Sequence, residues 1–232
     1  DLLDKYDANT FLDDDVVTIE EILSLDGKLD EGQYAINNAL IEWVTLANVV
    51  NAGGDISDEA GNPTINTDAM RSVVEQLKSV ADAGLMSPYG EDGYAMFQSG
   101  DVLFSTDGTW TSTAHGSVEG LNFGVTNIYS VTPDKFTNRS SAHLFSLLNN
   151  EDRTDEKEQG IADFLSWMRE NSLDWAGAGQ IVASKEVFES EEYQQYPQSF
   201  FTSSDVEKEA SYILTTNITV MLNQLWVLFY PI

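Results

Sequence analysis

Apolar residues along this chain switch repeatedly between two spacings: the three-to-four-residue recurrence of a helix, and short apolar runs bounded by turn residues. VVTIEEILSL predicts a helix in which Thr18 caps the start and Glu21 reaches back to the cap amide. QYAINNALIEWVTLANVV, residues 33–50, starts as a strand and turns helical, with Leu40, Trp43, Val44 and Ala47 at helical spacing, and ends at Gly53 and Gly54. TDAMRSVVEQLKSVADAG is an amphipathic helix with Met70, Val73, Val74, Leu77 and Val80 on one face and Gly84 as its stop. Tyr94–Phe97, a glycine turn and the strand DVLFSTDG follow, and the end of that strand carries Trp110. Further strands are expected at LNFGVTNIY and, after a loop holding Pro133, at AHLFSLL. EDRTDEKEQGIADFLSWMREN predicts a helix with Ile161, Leu165 and Met168 inward and Trp167 in the core beside Phe164 and Met168. SLDWAGAGQIVASKEVF is a small-residue loop entering a short helix, and DVEKEASYILTTNITVML a last long one. Such alternation implies the α/β class, and no internal repeat interrupts it.

At 232 residues, with 42% hydrophobic and 11% aromatic content, the chain holds enough apolar material for one large or two small packed domains. Eleven basic against 39 acidic residues give a formal charge of −28, a field that repels phosphate backbones and anionic lipid heads. Nucleic acid and membrane surfaces are therefore excluded as expected partners. The absence of cysteine removes disulfides, thiolate zinc sites and cysteine nucleophiles. His115 and His143 are the only histidines and belong to no zinc spacing, so no metal and no cofactor is expected. No GxSxG, GxxxxGK[ST] or GxGxxG run is present, and the acidic clusters at Asp13–Asp15 and Asp55–Glu59 read as solvated turns. The sequons at Asn138 and Asn217 carry little weight. The opening DLLDKYDANT has no signal-peptide character, which places any targeting signal upstream. The apolar run 218–232 is too short for a bilayer and is interrupted by Asn223 and Gln224; it reads as a buried element cut off before its end.

From Asn51 to Trp110 the order of features is specific: a double glycine, an acidic loop, the helix beginning TDAM, then AMFQSGDVLFSTDGTW. This order resembles the extracellular solute-binding proteins of ABC importers, of the sugar-binding type that includes the maltose-binding proteins. LNFGV resembles the family's return strand, and FLSWMRENSLDWAGAGQIVASKEVFESEEY its helix, tryptophan-containing loop and short helix, with Val182 where the family commonly has proline. The resemblance implies a periplasmic-binding-protein-like (type II) two-lobe α/β fold, here incomplete. Residues 1–10 would be an inter-lobe crossover, 11–120 and 197–232 the C-terminal lobe, and 121–196 a segment returning to complete the N-terminal lobe.

It also implies capture of a mono- or oligosaccharide without chemistry and its delivery to ABC permease subunits by an extracellular or periplasmic, lipid-anchored monomer. A sugar offers C–H faces to flat rings and a rim of hydroxyls to fixed polar groups. Trp110 suits the first task, with Asp107 beside it for paired hydroxyls. Trp43 precedes the double glycine where maltose-binding relatives carry a cleft aromatic, with Glu42 and Asn38 as polar neighbours. Trp175 and His143 would face the cleft from the returning segment. Core burial of Trp43, a structural histidine at 143 and a purely turn-capping Asp107 remain open readings. A carbohydrate-active hydrolase with aromatic subsites shares the sugar contacts but differs by turnover, and a structural or adhesive domain would bury Trp110.

Overall fold

The computed structural model describes residues 2–58, 60–127, 129–132, 137–140, 143–203 and 211–214. The chain divides into two compact units, one of residues 1–106, 126–143 and 209–232, the other of 107–125 and 144–208.

The first unit opens with α1 (Leu2–Lys5), a 3₁₀ turn at Asn9–Leu12 and α2 (Ile19–Leu23). The expected capping box at α2 forms: Thr18 Oγ1 accepts from Glu21 N at 3.2 Å, and Thr18 N donates to the Glu21 carboxylate at 2.8 Å. Strand β1 (Tyr34–Ile36) lies parallel to β2 (Val102–Phe104), pairing Tyr34 with Val102 and Ile36 with Phe104. Parallel strands need a crossover, supplied here by α3 (Ile41–Asn51), α4 (Asp68–Asp82) and α5 (Gly93–Ser99). Ile22, Leu25, Ala35, Ile36, Val44, Val49, Val73 and Val80 form the interior, each large aliphatic contributing about 1.5–3 kcal/mol by leaving water. A second parallel pair joins β3 (Thr137–Ser140) to β4 (Ser211–Leu214).

On α4, Val73, Leu77 and Val80 are buried and Met70 is half-buried as expected, but Val74 is exposed. At about 100° per residue it stands roughly a quarter turn from the centre of the buried stripe. Leu40 precedes α3 instead of belonging to it, with left-handed backbone at φ 51°.

The second unit contains α6 (Ser112–Gly116), α7 (Asp155–Glu170), α8 (Ser172–Gly177), α9 (Lys185–Phe188) and α10 (Phe200–Ser203). Its interior is a small cluster of Ala176, Val182 and Tyr193, backed by Leu173, Val187, Phe188 and Tyr196. Thr154 caps α7 and Ser184 caps α9.

Further expectations need correction. The end of the strand does not carry Trp110, because β2 ends at Phe104, six residues before it. Among the described residues, 121–127 and 143–150 form no ladder; beyond the first region, Ser130 makes an isolated parallel bridge to Thr18. A strand exists through a partner's hydrogen bonds, which an apolar run does not itself specify. Trp167 is 56% exposed, and α7 has no buried residue. The long helix expected from residue 205 gives way to strand β4 at Ser211–Leu214, while the apolar run 218–232 and the sequon at Asn217 lie outside the described residues.

Candidate functional site

In the second unit, residues 107–116 fold as a compact corner. Asp107 accepts a hydrogen bond from Gly108 N at 2.7 Å, a 3₁₀ turn covers Thr109–Thr111, and α6 follows without a break. Thr111 N and Thr111 Oγ1 both return to the Gly108 carbonyl, at 3.0 and 2.8 Å. The benzo part of the Trp110 indole lies directly over Gly108, where a β-carbon would collide with the ring. The residue is 49% exposed. A large ring held against backbone and half exposed to water suits a stacking platform.

Asp107 is half-buried. Its charge also reaches His115, a buried residue whose ring meets Phe123 edge-on at 5.6 Å between centroids. Burial pulls the His115 pKa below the ordinary histidine value, and the Asp107 carboxylate opposes that shift. Burial thus favours the uncharged form of His115 at the end of the corner.

Trp175 lies in the same unit, on α8, and is 44% exposed. Thr113 Oγ1 donates to the Gly177 carbonyl at 2.7 Å, tying the Trp110 corner to the end of the helix that carries Trp175. The structure therefore brings Trp110, Asp107 and Trp175 into one unit.

Asn38, Glu42, Trp43 and His143 belong to the first unit. Asn38 N donates to Ser87 Oγ at 3.0 Å, and Trp43 N to the Leu40 carbonyl at 2.8 Å, so residues 38–43 form a tight bend around the left-handed Leu40. Asn38, Glu42 and Trp43 are half-buried, whereas His143 is exposed.

Asn37 is a residue that periodicity does not single out. It is fully buried, and its amide donates to Ser105 Oγ at 2.7 Å and accepts from Thr106 N at 3.0 Å. That pair of bonds fixes the end of the β2 segment just before the chain turns to Asp107. The only signal was an amide between a strand run and a helix run. Asn138 is likewise buried, its Nδ2 donating to Asn127 Oδ1 at 3.0 Å, so this sequon is committed to packing.

Among the described residues, no helix is long and apolar enough to cross a membrane.

The family model described as bacterial extracellular solute-binding protein matches residues 1–202. No curated protein sequence matches the chain. Solved structures do. A cyclic α-maltosyl-1,6-maltose binding protein from Arthrobacter globiformis is 18% identical with a TM-score of 0.62, covering 89% of this chain and 56% of its own. An ABC substrate-binding protein from Listeria monocytogenes, in complex with cycloalternan, is 15% identical with a TM-score of 0.66, covering 92% and 56%. A maltose/maltodextrin-binding domain from Bdellovibrio bacteriovorus, bound to maltotriose, is 15% identical with a TM-score of 0.68, covering 90% and 58%. At these identities the likeness is one of fold, and the chain spans little more than half the length of each.

Proposed function

The chain belongs to the bacterial extracellular solute-binding proteins, and from that premise we propose that it captures a carbohydrate for an ABC importer. The family works outside the cytoplasm, so the chain acts in an extracellular or periplasmic space. Trp110 carries the reading: an indole backed by Gly108 and open to solvent, with Asp107 two residues before the turn that holds it. Malto-oligosaccharides and cyclic glucans are the first ligands to test, because solved proteins of this fold bind them.

In this reading Trp110 and Trp175 stack on sugar faces while Asp107 accepts from hydroxyl pairs. Trp43, Glu42, Asn38 and His143 supply the remaining contacts. The lobes are 11–120 with 197–232, and 121–196, as the family resemblance implies. The lobes close around the ligand by hinge motion, and closure strengthens each hydroxyl hydrogen bond by removing competing water. The protein breaks no bond in its ligand, acts as a monomer, is held to the cell by a lipid anchor and hands the sugar to permease subunits.

Calorimetry of the full-length protein against mono- and oligosaccharides, with chromatography of the recovered ligand, tests this. Saturable binding with the sugar recovered unchanged supports the proposal. Release of new reducing ends, or no heat with any saccharide, overturns it.

A further inference from the structure

We infer that Gly179 is a positioning residue for Trp110: it locks the corner that carries the indole at a set distance from the loop behind it. The inference rests on the reading of Trp110 as a sugar platform and names what holds that platform.

Gly179 has φ 84°, a left-handed backbone that disfavours any side chain. A β-carbon there would stand 2.9 Å from Trp110 Cα and 2.8 Å from Ser112 Oγ, and would strike the Thr109 carbonyl oxygen. These three atoms are the backbone and the internal hydrogen bond of the Trp110 corner, since Ser112 Oγ donates to Thr109 O at 2.8 Å. The loop seats its own backbone directly against the corner, and only glycine permits so close an approach.

The loop is held from behind. Gln198, almost fully buried, donates from Nε2 to the Ala176 carbonyl at 2.7 Å and to the Gln180 carbonyl at 3.4 Å, bracketing Gly179 on both sides. Thr113 closes the other edge through Gly177 O. A side chain at 179 cannot push the loop back without breaking the Gln198 bonds, so the corner moves instead.

Gly120 separates positioning from general strain. It shares the left-handed backbone, with φ 85°, in the same unit, but a β-carbon there meets nothing within 4 Å. Both G179A and G120A lose stability through the backbone, but only G179A reaches Trp110.

The test uses the full-length protein. The Trp110 emission, isolated by subtracting the W110F spectrum, and its acrylamide quenching are compared in the parent, G179A and G120A; affinity for a sugar that the parent binds is then measured. The expected result is a shifted Trp110 emission and altered quenching in G179A alone, with sugar affinity about tenfold weaker while G120A binds like the parent. Unchanged Trp110 emission in folded G179A, or the same shift in G120A, overturns the inference. Should G179A not fold, T113V decides, because it frees one edge of the loop without adding bulk. A shifted Trp110 signal in T113V supports the inference and an unshifted one overturns it. A parent that binds no saccharide defeats the sugar reading and leaves ring positioning to be judged on emission.

Discussion

The Trp110 indole occupies the place where any residue but glycine at 108 would carry its β-carbon. The atoms in the way are the far end of a side chain, so a methyl group at 108 displaces the ring and leaves the backbone turn intact. Gly108→Ala is expected to fold with nearly parental thermal stability, to shift the Trp110 emission and to weaken sugar binding by about tenfold. Fluorescence and calorimetry on one preparation check this; a parental spectrum with parental affinity contradicts it.

Asn48 holds the segment around Tyr129 against α3. Its Nδ2 donates to the carbonyls of Tyr129 and Val44 at 3.0 and 3.1 Å, and its Oδ1 accepts from Val131 N at 2.8 Å. Asn48→Ala leaves two of these backbone groups, on Tyr129 and Val131, buried or half-buried without their partner. The expected loss is about 2–4 kcal/mol in chemical denaturation, at the upper end for a single polar deletion. A loss below about 1 kcal/mol would show that the bonds are replaced by water.

His115 gives a pH dependence with a defined sign. Burial is the larger influence and holds the folded-state pKa below the ordinary value of 6.5. The folded form then binds fewer protons than the unfolded chain between the two values. The contribution of His115 is complete above about pH 6.5 and is lost as pH falls toward the folded-state pKa. Thermal unfolding at pH 7.5 and pH 5 should show a smaller difference in H115Q than in the parent. Equal differences in the two proteins would remove His115 as the cause.

With 39 acidic and 11 basic residues, at least 28 carboxylates have no basic side chain to pair with. Their mutual repulsion weakens as the screening length falls from about 10 Å at 0.1 M salt to about 3 Å at 1 M. The melting temperature is expected to rise from 0.05 to 1 M sodium chloride. A flat or falling curve in differential scanning calorimetry contradicts this.

Much of the fold was legible where the determinants are local. The Thr18–Glu21 capping box, the change from strand to helix between β1 and α3, and the α4 stripe of Val73, Leu77 and Val80 all depend on spacing within one segment. The family order from Asn51 to Trp110 was legible for the same reason. Strands were expected at 121–129 and 142–148 and no ladder forms there among the described residues, because pairing depends on a distant partner, while β3 at Thr137–Ser140 arose in a polar segment with no alternation. Trp167 fell outside the core because helical spacing identifies a face but not what covers it. For the candidate site, the residue types around Trp110 were visible. The contact of its ring with Gly108, the Asn37 clamp and the approach of Gly179 are relations across space that one-dimensional spacing does not encode.

The reading of Trp110 as a platform requires that its exposed ring receive a sugar. Titrating the full-length protein with a panel of saccharides, while following Trp110 emission against a W110A control, tests it most directly. A saturable change in Trp110 emission is expected with at least one saccharide, and an affinity about 10- to 100-fold weaker in W110A, from roughly 1.5–3 kcal/mol of lost aromatic burial. Binding of equal strength in the parent and W110A, with no response from Trp110, would contradict it.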